Sequence, residues 1–364
     1  MEAMQQGLGG KGFAYEDPRN TLSAYLSENI HRFSAAKSLT EQQIFSKLLV
    51  DEEGNPRSFT AFRNAVMDAG YEINITHLQT EYNTALASAQ MAHKWQTFVA
   101  NGNEVLQYST VGDDRVRPEH AALYGLTLSI DSPVWNYIFP PNDWNCRCTV
   151  IPGVAEMVMD DSEAGKLGKE NVQEPFRFNP GKEKIIVEND HPYYKAAPTE
   201  LEAVKNYGLP DLKKIYAEAL PAAEQTAREG EYKTWWAAQA KVAGTDDILL
   251  TDNLGVKVLF DSVATPGNNR SDDVYFKDHI IRKKAQQRWR YGTNFKDIIN
   301  NPDEVYSVRE GNKIVRNYLK FYEAAPILVR VVERDNLLVA ESMYELTDVR
   351  AKQLRRGALL FVKK

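Results

Sequence analysis

Apolar residues recur three and four positions apart along the first hundred residues, the period of a helix with one buried face. From Thr21 to Leu49 two such patterns are separated at Ser38-Leu39-Thr40-Glu41, where Ser38 or Thr40 can cap the second. The Gly54-Asn55-Pro56 turn precedes a helical stretch at Phe59–Asp68. A long helix follows from about Ile75 to Val99, with Tyr82, Ala85, Ala89 and Trp95 on its core side, and Gly102-Asn103 ends it. Leu106–Ser109 then reads as a strand. Residues 113–152 are irregular and rich in proline, which marks a functional or cross-braced stretch. Residues 153–198 are loop-rich, with a turn at Asn179-Pro180-Gly181 and a short strand at Lys184–Val187.

Helices return at about 199–206 and 210–229 and around Trp235-Trp236. Ile248–Leu250 and Val256–Phe260 flank Asp252-Asn253-Leu254-Gly255 as a hairpin. A loop at Thr265–Asp273 leads to a basic helix from Tyr275 to Arg290 and a shorter one at Phe295–Asn300, stopped by Asn301-Pro302. Strand patterns follow at Glu304–Val308, Ile314–Phe321, Ile327–Glu333, Leu337–Ser342 and Ala358–Val362. Helices followed by an antiparallel meander define a small α+β domain. The fold class is therefore α+β: a mainly helical N-terminal domain with a long irregular loop, then a C-terminal α+β domain with an antiparallel sheet.

The 364 residues exceed the usual single-core size, so more than one domain is expected. The pattern divides them into a helical lead-in (1–44), a domain holding the irregular loop (45–198), a helical connector (199–244) and the α+β domain (245–364). Charge sharpens the last boundary. Residues 270–364 hold 20 lysines and arginines against 13 aspartates and glutamates, whereas residues 1–269 hold 24 against 37. An acidic body with a basic tail directs any polyanion to the tail, a basic solvated surface being the alternative. No apolar run is long enough for a membrane span and no basic-then-apolar leader follows Met1, so the chain is expected to be made soluble in a cytosol. The two cysteines, Cys146 and Cys148, lie too close for an unstrained disulfide and are expected as free thiols or ligands.

The irregular stretch carries the most specific wording in the chain. Asp114-Arg115-Val116-Arg117-Pro118-Glu119-His120-Ala121-Ala122-Leu123-Tyr124-Gly125, Pro133-Val134-Trp135 and Pro140-Pro141-Asn142-Asp143-Trp144-Asn145-Cys146-Arg147-Cys148-Thr149-Val150 resemble, in order and spacing, the phage Mu F-type head morphogenesis family. Thr80-Glu81-Tyr82 with Ala87, Phe178-Asn179-Pro180-Gly181 and His191-Pro192-Tyr193 extend the resemblance over about residues 45–195. It implies a minor head component of the virion, present in few copies, acting with portal and capsid proteins and ejected with the DNA. By residue chemistry, His120, Cys146 and Cys148 offer three zinc ligands, with His191 or Asp131 as a fourth. A Cys-x-Cys pair is awkward on one ion. The alternative is that His120 bonds loop carbonyls while the thiols pack as small hydrophobes. Arg115, Arg117 and Arg147 are expected to brace the coil, and Trp135 and Trp144 to be core.

The tail domain, about 250–364, resembles the phage-associated branch of the barnase–EndoU–colicin–RelE nuclease superfamily. The matching features are Asp278-His279-Ile280-Ile281-Arg282-Lys283, Asn301-Pro302-Asp303-Glu304-Val305-Tyr306, the strands around Tyr318–Tyr322 and Val329–Val332, and Arg355-Arg356-Gly357-Ala358-Leu359-Leu360-Phe361. The resemblance implies an RNA-cleaving toxin that needs no cofactor, with RNA, tRNA among its targets, and an immunity protein as partners. Such cleavage requires a base for the 2′-hydroxyl, an acid for the leaving oxygen and a cation for the phosphate. His279 titrates in the right range to be base or acid. Arg282, Lys283, Lys320 and Arg355 are candidates to hold phosphate, and Tyr318, Tyr322 and Ser342 to orient groups or donate protons. Tyr318, Lys320 and Tyr322 alternate onto one strand face, which His279 is expected to approach. A solvated helix face and a half-exposed sheet would look the same. No histidine follows His279, so its partner must be a tyrosine, lysine or carboxylate. The rival function is a purely structural minor capsid protein whose basic domain touches packaged DNA or the portal without chemistry.

Overall fold

The computed structural model describes residues 1–48, 75–188, 215, 219–240, 246–262, 275–282 and 287–363, the side chains of 38–48, 75–79 and 282 excepted. The expected helix at 59–68, the helices at 199–206 and 210–214 and the loop at 265–273 lie outside the described residues. The fold is α+β as expected, in two compact units. One comprises Met1–Gly10 and Arg32–Leu201, the other Lys11–His31 and Glu202–Lys364.

The first unit holds α1 (Glu2–Gly7), the later turns of α2 (Pro18–Leu48) and α3 (Ile75–Ala100). The two helical patterns expected between Thr21 and Leu49 are one continuous helix, because the Ser-Leu-Thr-Glu segment between them holds no glycine or proline to break it. Strand β1 (Val105–Ser109), helix α4 (Pro118–Ala121), β2 (Thr127–Ser129), α5 (Trp135–Ile138) and β3 (Thr149–Pro152) follow. They form an antiparallel sheet with β1 central. Leu106 and Tyr108 face inward, and Met91, Trp95 and Phe98 of α3 join them in a core with Trp135, Phe139, Cys146 and Cys148. Trp144 packs at its margin, edge-on to Phe176 at 5.5 Å.

Within 153–188, helix α6 (Asp161–Asn171) was not anticipated. Asp160 caps it by accepting from the amides of Ser162 and Glu163. The Asn-Pro-Gly turn opens helix α7 (Pro180–Glu183), with Asn179 Oδ1 accepting from the amides of Gly181 and Lys182. Lys184 is left-handed (φ 55°) and Lys184–Val187 is not a strand; Ile185 and Ile186 turn into the core. A Cβ on Gly181 would overlap the Trp95 side chain. Gly181→Ala is accordingly expected to cost about 1–3 kcal/mol, the usual range for overpacking, read as a lower midpoint in chemical denaturation.

The second unit is a seven-stranded sheet with the first turns of α2 and helix α8 (Glu229–Gln239) packed in its core. Its strands are β4 (Ile248–Thr251), β5 (Lys257–Phe260), β6 (Glu304–Glu310), β7 (Lys313–Phe321), β8 (Pro326–Arg334), β9 (Leu337–Glu345) and β10 (Ala358–Val362), in the order β10-β6-β7-β8-β9-β5-β4. Every pairing is antiparallel except β5 with β9. Helices α9 (Phe276–Arg282) and α10 (Phe295–Asn300) cover one face, with Phe276, Ile280 and Phe295 meeting Val329, Val331 and Ala340. Helix α11 (Asp348–Leu354) lies with Tyr306, Leu319 and Leu328 of the sheet in a second cluster.

The compact units depart from the linear division. Tyr232 and Trp236, expected in a connector, are fully buried in this core, and so are Ala24 and Tyr25 from the lead-in. Asn20 bonds Lys257 through both main-chain groups, and Glu28 pairs with Arg309 at 3.0 Å. Residues 219–228 are not helical: Pro221 interrupts, and main-chain groups bond to another segment, with Thr226 N donating to Arg290 O and Glu224 N to Asn294 Oδ1.

Candidate functional site

Helix α9 carries His279 to the edge of β9, beyond the single pairing of Leu259 in β5 with Val339. Two irregularities shape the place. The β8–β9 register shifts between Arg330 and Val331, a bulge that opposes Glu341 and Ser342 to one residue and re-aims what they carry. Gln287 is left-handed (φ 44°) and opens a 3-10 turn, Arg288–Asn294, so the expected helix to Arg290 is broken there. Arg288 Nη1 thereby lies 2.9 Å from His279 Nε2 and 2.9 Å from Ser342 Oγ, and Ser342 Oγ lies 3.1 Å from Nε2. The guanidinium stands 4.8 Å from the Tyr344 ring centroid.

The chemistry of this triangle follows from donor counts. A guanidinium has no acceptor, so Nε2 must present its lone pair to Arg288, and the ring proton of the neutral imidazole sits on Nδ1. Ser342 accepts from Arg288, and its own hydroxyl proton competes with the guanidinium for the one Nε2 lone pair. An imidazole nitrogen that carries no proton, held beside a guanidinium, is an arrangement able to take a proton next to a phosphate. Burial lowers the Arg288 pKa from its ordinary value, against the opposing effect of Tyr344. A guanidinium starts so high that its charge persists.

Ser342 is thus beside His279, whereas the other expected partners are elsewhere. Strand β7 is central and covered on both faces, so Tyr318, Lys320 and Tyr322 share a buried layer, not a surface. One strand, β8, separates β7 from β9, which puts them about 10 Å apart at the usual spacing. Tyr318 donates to Asp252 Oδ2 at 2.6 Å, and that carboxylate also holds Arg316 at 3.0 Å. Lys320 donates to Asn301 O at 2.6 Å and pairs with Asp297 at 3.5 Å, and Tyr322 donates to Asp297. Burial drives the pKa of both tyrosines up, which ill suits them to proton transfer. Arg355 is 2% exposed and fork-paired with Glu304, where Tyr306 also donates. It ties the end of α11 to the first residue of β6, and a phosphate there would leave Glu304 buried and unpaired. The side chains of Arg282 and Lys283 lie outside the described residues. Tyr318→Phe is therefore expected to cost about 1.5–3 kcal/mol, the range for a hydrogen bond to a charged group, and to leave any RNA cleavage unchanged when both are measured on one preparation.

Arg288 and Tyr344 were not singled out beforehand. Arg288 lay hidden in a stretch read as one basic helix. Tyr344 follows Ser342 by two positions, the one signal that a strand position near the site carries.

In the first unit, the irregular stretch brings three other groups together. His120, Cys146 and Cys148 are buried, and His120 Nδ1 lies 3.6 Å from Cys146 Sγ and 3.7 Å from Cys148 Sγ. The hydrogen bond from Cys148 holds the Cys146 thiol below its ordinary pKa against the burial that opposes it, and His120 adds to the effect. Asp131 is exposed and not in this group, and His191 lies outside the described residues. Arg117 donates to Trp144 O at 2.9 Å and pairs with Asp143 at 3.1 Å; Arg147 forks Asp113 at 2.7 Å, and Arg115 reaches the same carboxylate at 3.5 Å. The arginines brace the coil, as their donor geometry led us to expect. A cleft of about 930 Å³ borders both cysteines, lined also by Lys94, Arg115, Arg117 and Arg147.

Comparison with known families follows the same division. Residues 57–151 match the family described as Phage Mu protein F like protein, and residues 254–362 match that described as phage-Barnase-EndoU-ColicinE5/D-RelE like nuclease2. The chain thus carries a Mu F like segment followed by a segment of a phage nuclease family, the two resemblances read from the motifs. Among curated proteins, the Mu-like prophage FluMu F protein of Haemophilus influenzae is 37% identical over 75 residues, which cover 21% of this chain and 18% of that protein. The putative capsid assembly protein F of Escherichia phage Mu is 33% identical over 104 residues, covering 29% and 22%. The chain spans about a fifth of the length of these relatives. No solved structure matches. Among the described residues, no helix is long and apolar enough to cross a membrane.

Proposed function

We propose that this chain is a head-associated protein of a phage or prophage virion whose second unit cleaves RNA. The observation that carries the catalytic part is the triangle of His279 Nε2, Arg288 Nη1 and Ser342 Oγ, each side 2.9–3.1 Å. An incoming phosphodiester draws Arg288 onto its non-bridging oxygens and frees Nε2 for the 2′-hydroxyl. Nε2 takes that proton, the 2′-oxygen bonds to phosphorus, and the bond from phosphorus to the 5′-oxygen breaks. The leaving oxygen takes a proton from an acid, for which Tyr344 offers a phenol beside Arg288. The products are a 2′,3′-cyclic phosphate and a 5′-hydroxyl, and no cofactor enters the balance.

The head assignment draws on the Mu F like segment and on the phage Mu relative named a putative capsid assembly protein. Portal and capsid proteins are its partners in this reading. The second unit enters the host with the DNA, and an immunity protein protects the producer. The test is incubation of the full chain with RNA and with DNA of one sequence. RNA alone should be cut, with cyclic phosphate ends, because DNA lacks the 2′-hydroxyl. Salt-sensitive binding of both without any product would leave the purely structural reading in its place.

A further inference from the structure

We propose that His120, Cys146 and Cys148 bind one zinc-type divalent cation that cross-links the irregular stretch of the first unit. The geometry supports this in three ways. A metal with a nitrogen at about 2.05 Å and sulfurs at about 2.3 Å in tetrahedral array holds N and S about 3.5 Å apart; the two observed separations are 3.6 and 3.7 Å. All three ligand atoms lie within 4.8 Å of one another. One ring nitrogen has a single proton or a single lone pair and cannot make a full hydrogen bond to two thiols at once, yet Nδ1 is nearly equidistant from both. A shared cation accounts for that equidistance.

The local backbone removes the difficulty of a Cys-x-Cys pair on one ion. Both cysteines of the pair face one side of the chain here. Cys146 and Cys148 turn inward, 4% and 9% exposed, while Arg147 between them turns out to Asp113. Asn145 is left-handed (φ 56°) and anchored by its amide to Thr84 Oγ1, which sets the direction of entry. Charge also balances. Two thiolates and a neutral imidazole around a doubly charged ion sum to zero, the condition under which such groups can be buried without a large desolvation cost. Both cysteines border the cleft that Lys94, Arg115 and Arg117 also line, which leaves the fourth position to water. The ion would tie helix α4 to the coil entering β3, joining residues 26 and 28 positions apart.

The test uses the full chain, purified with thiols reduced. We expect about one equivalent of zinc by elemental analysis, a fall in the melting temperature when a chelator removes it, and thiolate-to-metal charge-transfer bands when cobalt replaces it. His120→Ala and Cys148→Ser should each weaken cobalt binding at least tenfold. If these variants do not fold, the cobalt spectrum of the parent chain still decides. A folded, reduced parent that takes up neither metal, or that binds cobalt without thiolate bands, overturns the proposal. Neither outcome touches the RNA-cleavage reading, which rests on other residues.

Discussion

On the proposed reading, replacing His279 by alanine is expected to lower RNA cleavage by about 10²- to 10⁴-fold, the usual contribution of a positioned acid or base. The substitution is a clean one. His279 is only partly buried, and the 2.9 Å bond between Arg288 and Ser342 does not pass through the ring. The second unit should therefore melt as the parent does while its single-turnover rate on a short RNA collapses. An alanine variant that cuts as fast as the parent would remove His279 from the mechanism, and with it the reading of the triangle as a site.

The largest effect on stability is expected far away in sequence. Tyr25→Ala should destabilise the second unit by about 3–5 kcal/mol, as for other fully buried aromatic residues. The ring is 2% exposed in the core, with the Arg309 guanidinium 5.2 Å from its centroid. Its hydroxyl accepts from the amide of Ile314 and lies within 2.9 Å of Asn312 O and 3.1 Å of Glu333. Hydrogen exchange of peptides from 304–345 reads the loss directly. Protection there within 0.5 kcal/mol of the parent, roughly the scale of an ordinary surface substitution, would show that the early helix is an ornament of the unit and not part of its core.

How far the residues announce this structure depends on the range over which each signal acts. Strands β6 to β10 and helix α10 were legible within a residue or two at most ends, because period-two runs and the Asn301-Pro302 stop are local. Ser342 and His279 were legible as chemistry, and the structure places them together. The burial of Tyr318, Lys320 and Tyr322 was not, since alternation gives the face of a strand but not whether anything covers it. What covers that face includes Tyr25, Tyr232 and Trp236, drawn from segments read as a lead-in and a connector. Arg288 escaped because one left-handed residue, Gln287, redirects it, and glutamine carries no mark of that conformation. The thiol cluster was legible as a set of neighbouring groups, and the structure brings His120, Cys146 and Cys148 together.

The helix turns that hold Tyr25 are made long before the strands they serve. Its hydroxyl meets Asn312, 287 residues on. At roughly 5–20 residues per second on a bacterial ribosome, that interval is of the order of 15–60 s. For that time the Tyr25 face lacks the strands that bury it in the folded unit. The second unit is consequently completed late, after the Mu F like segment has emerged.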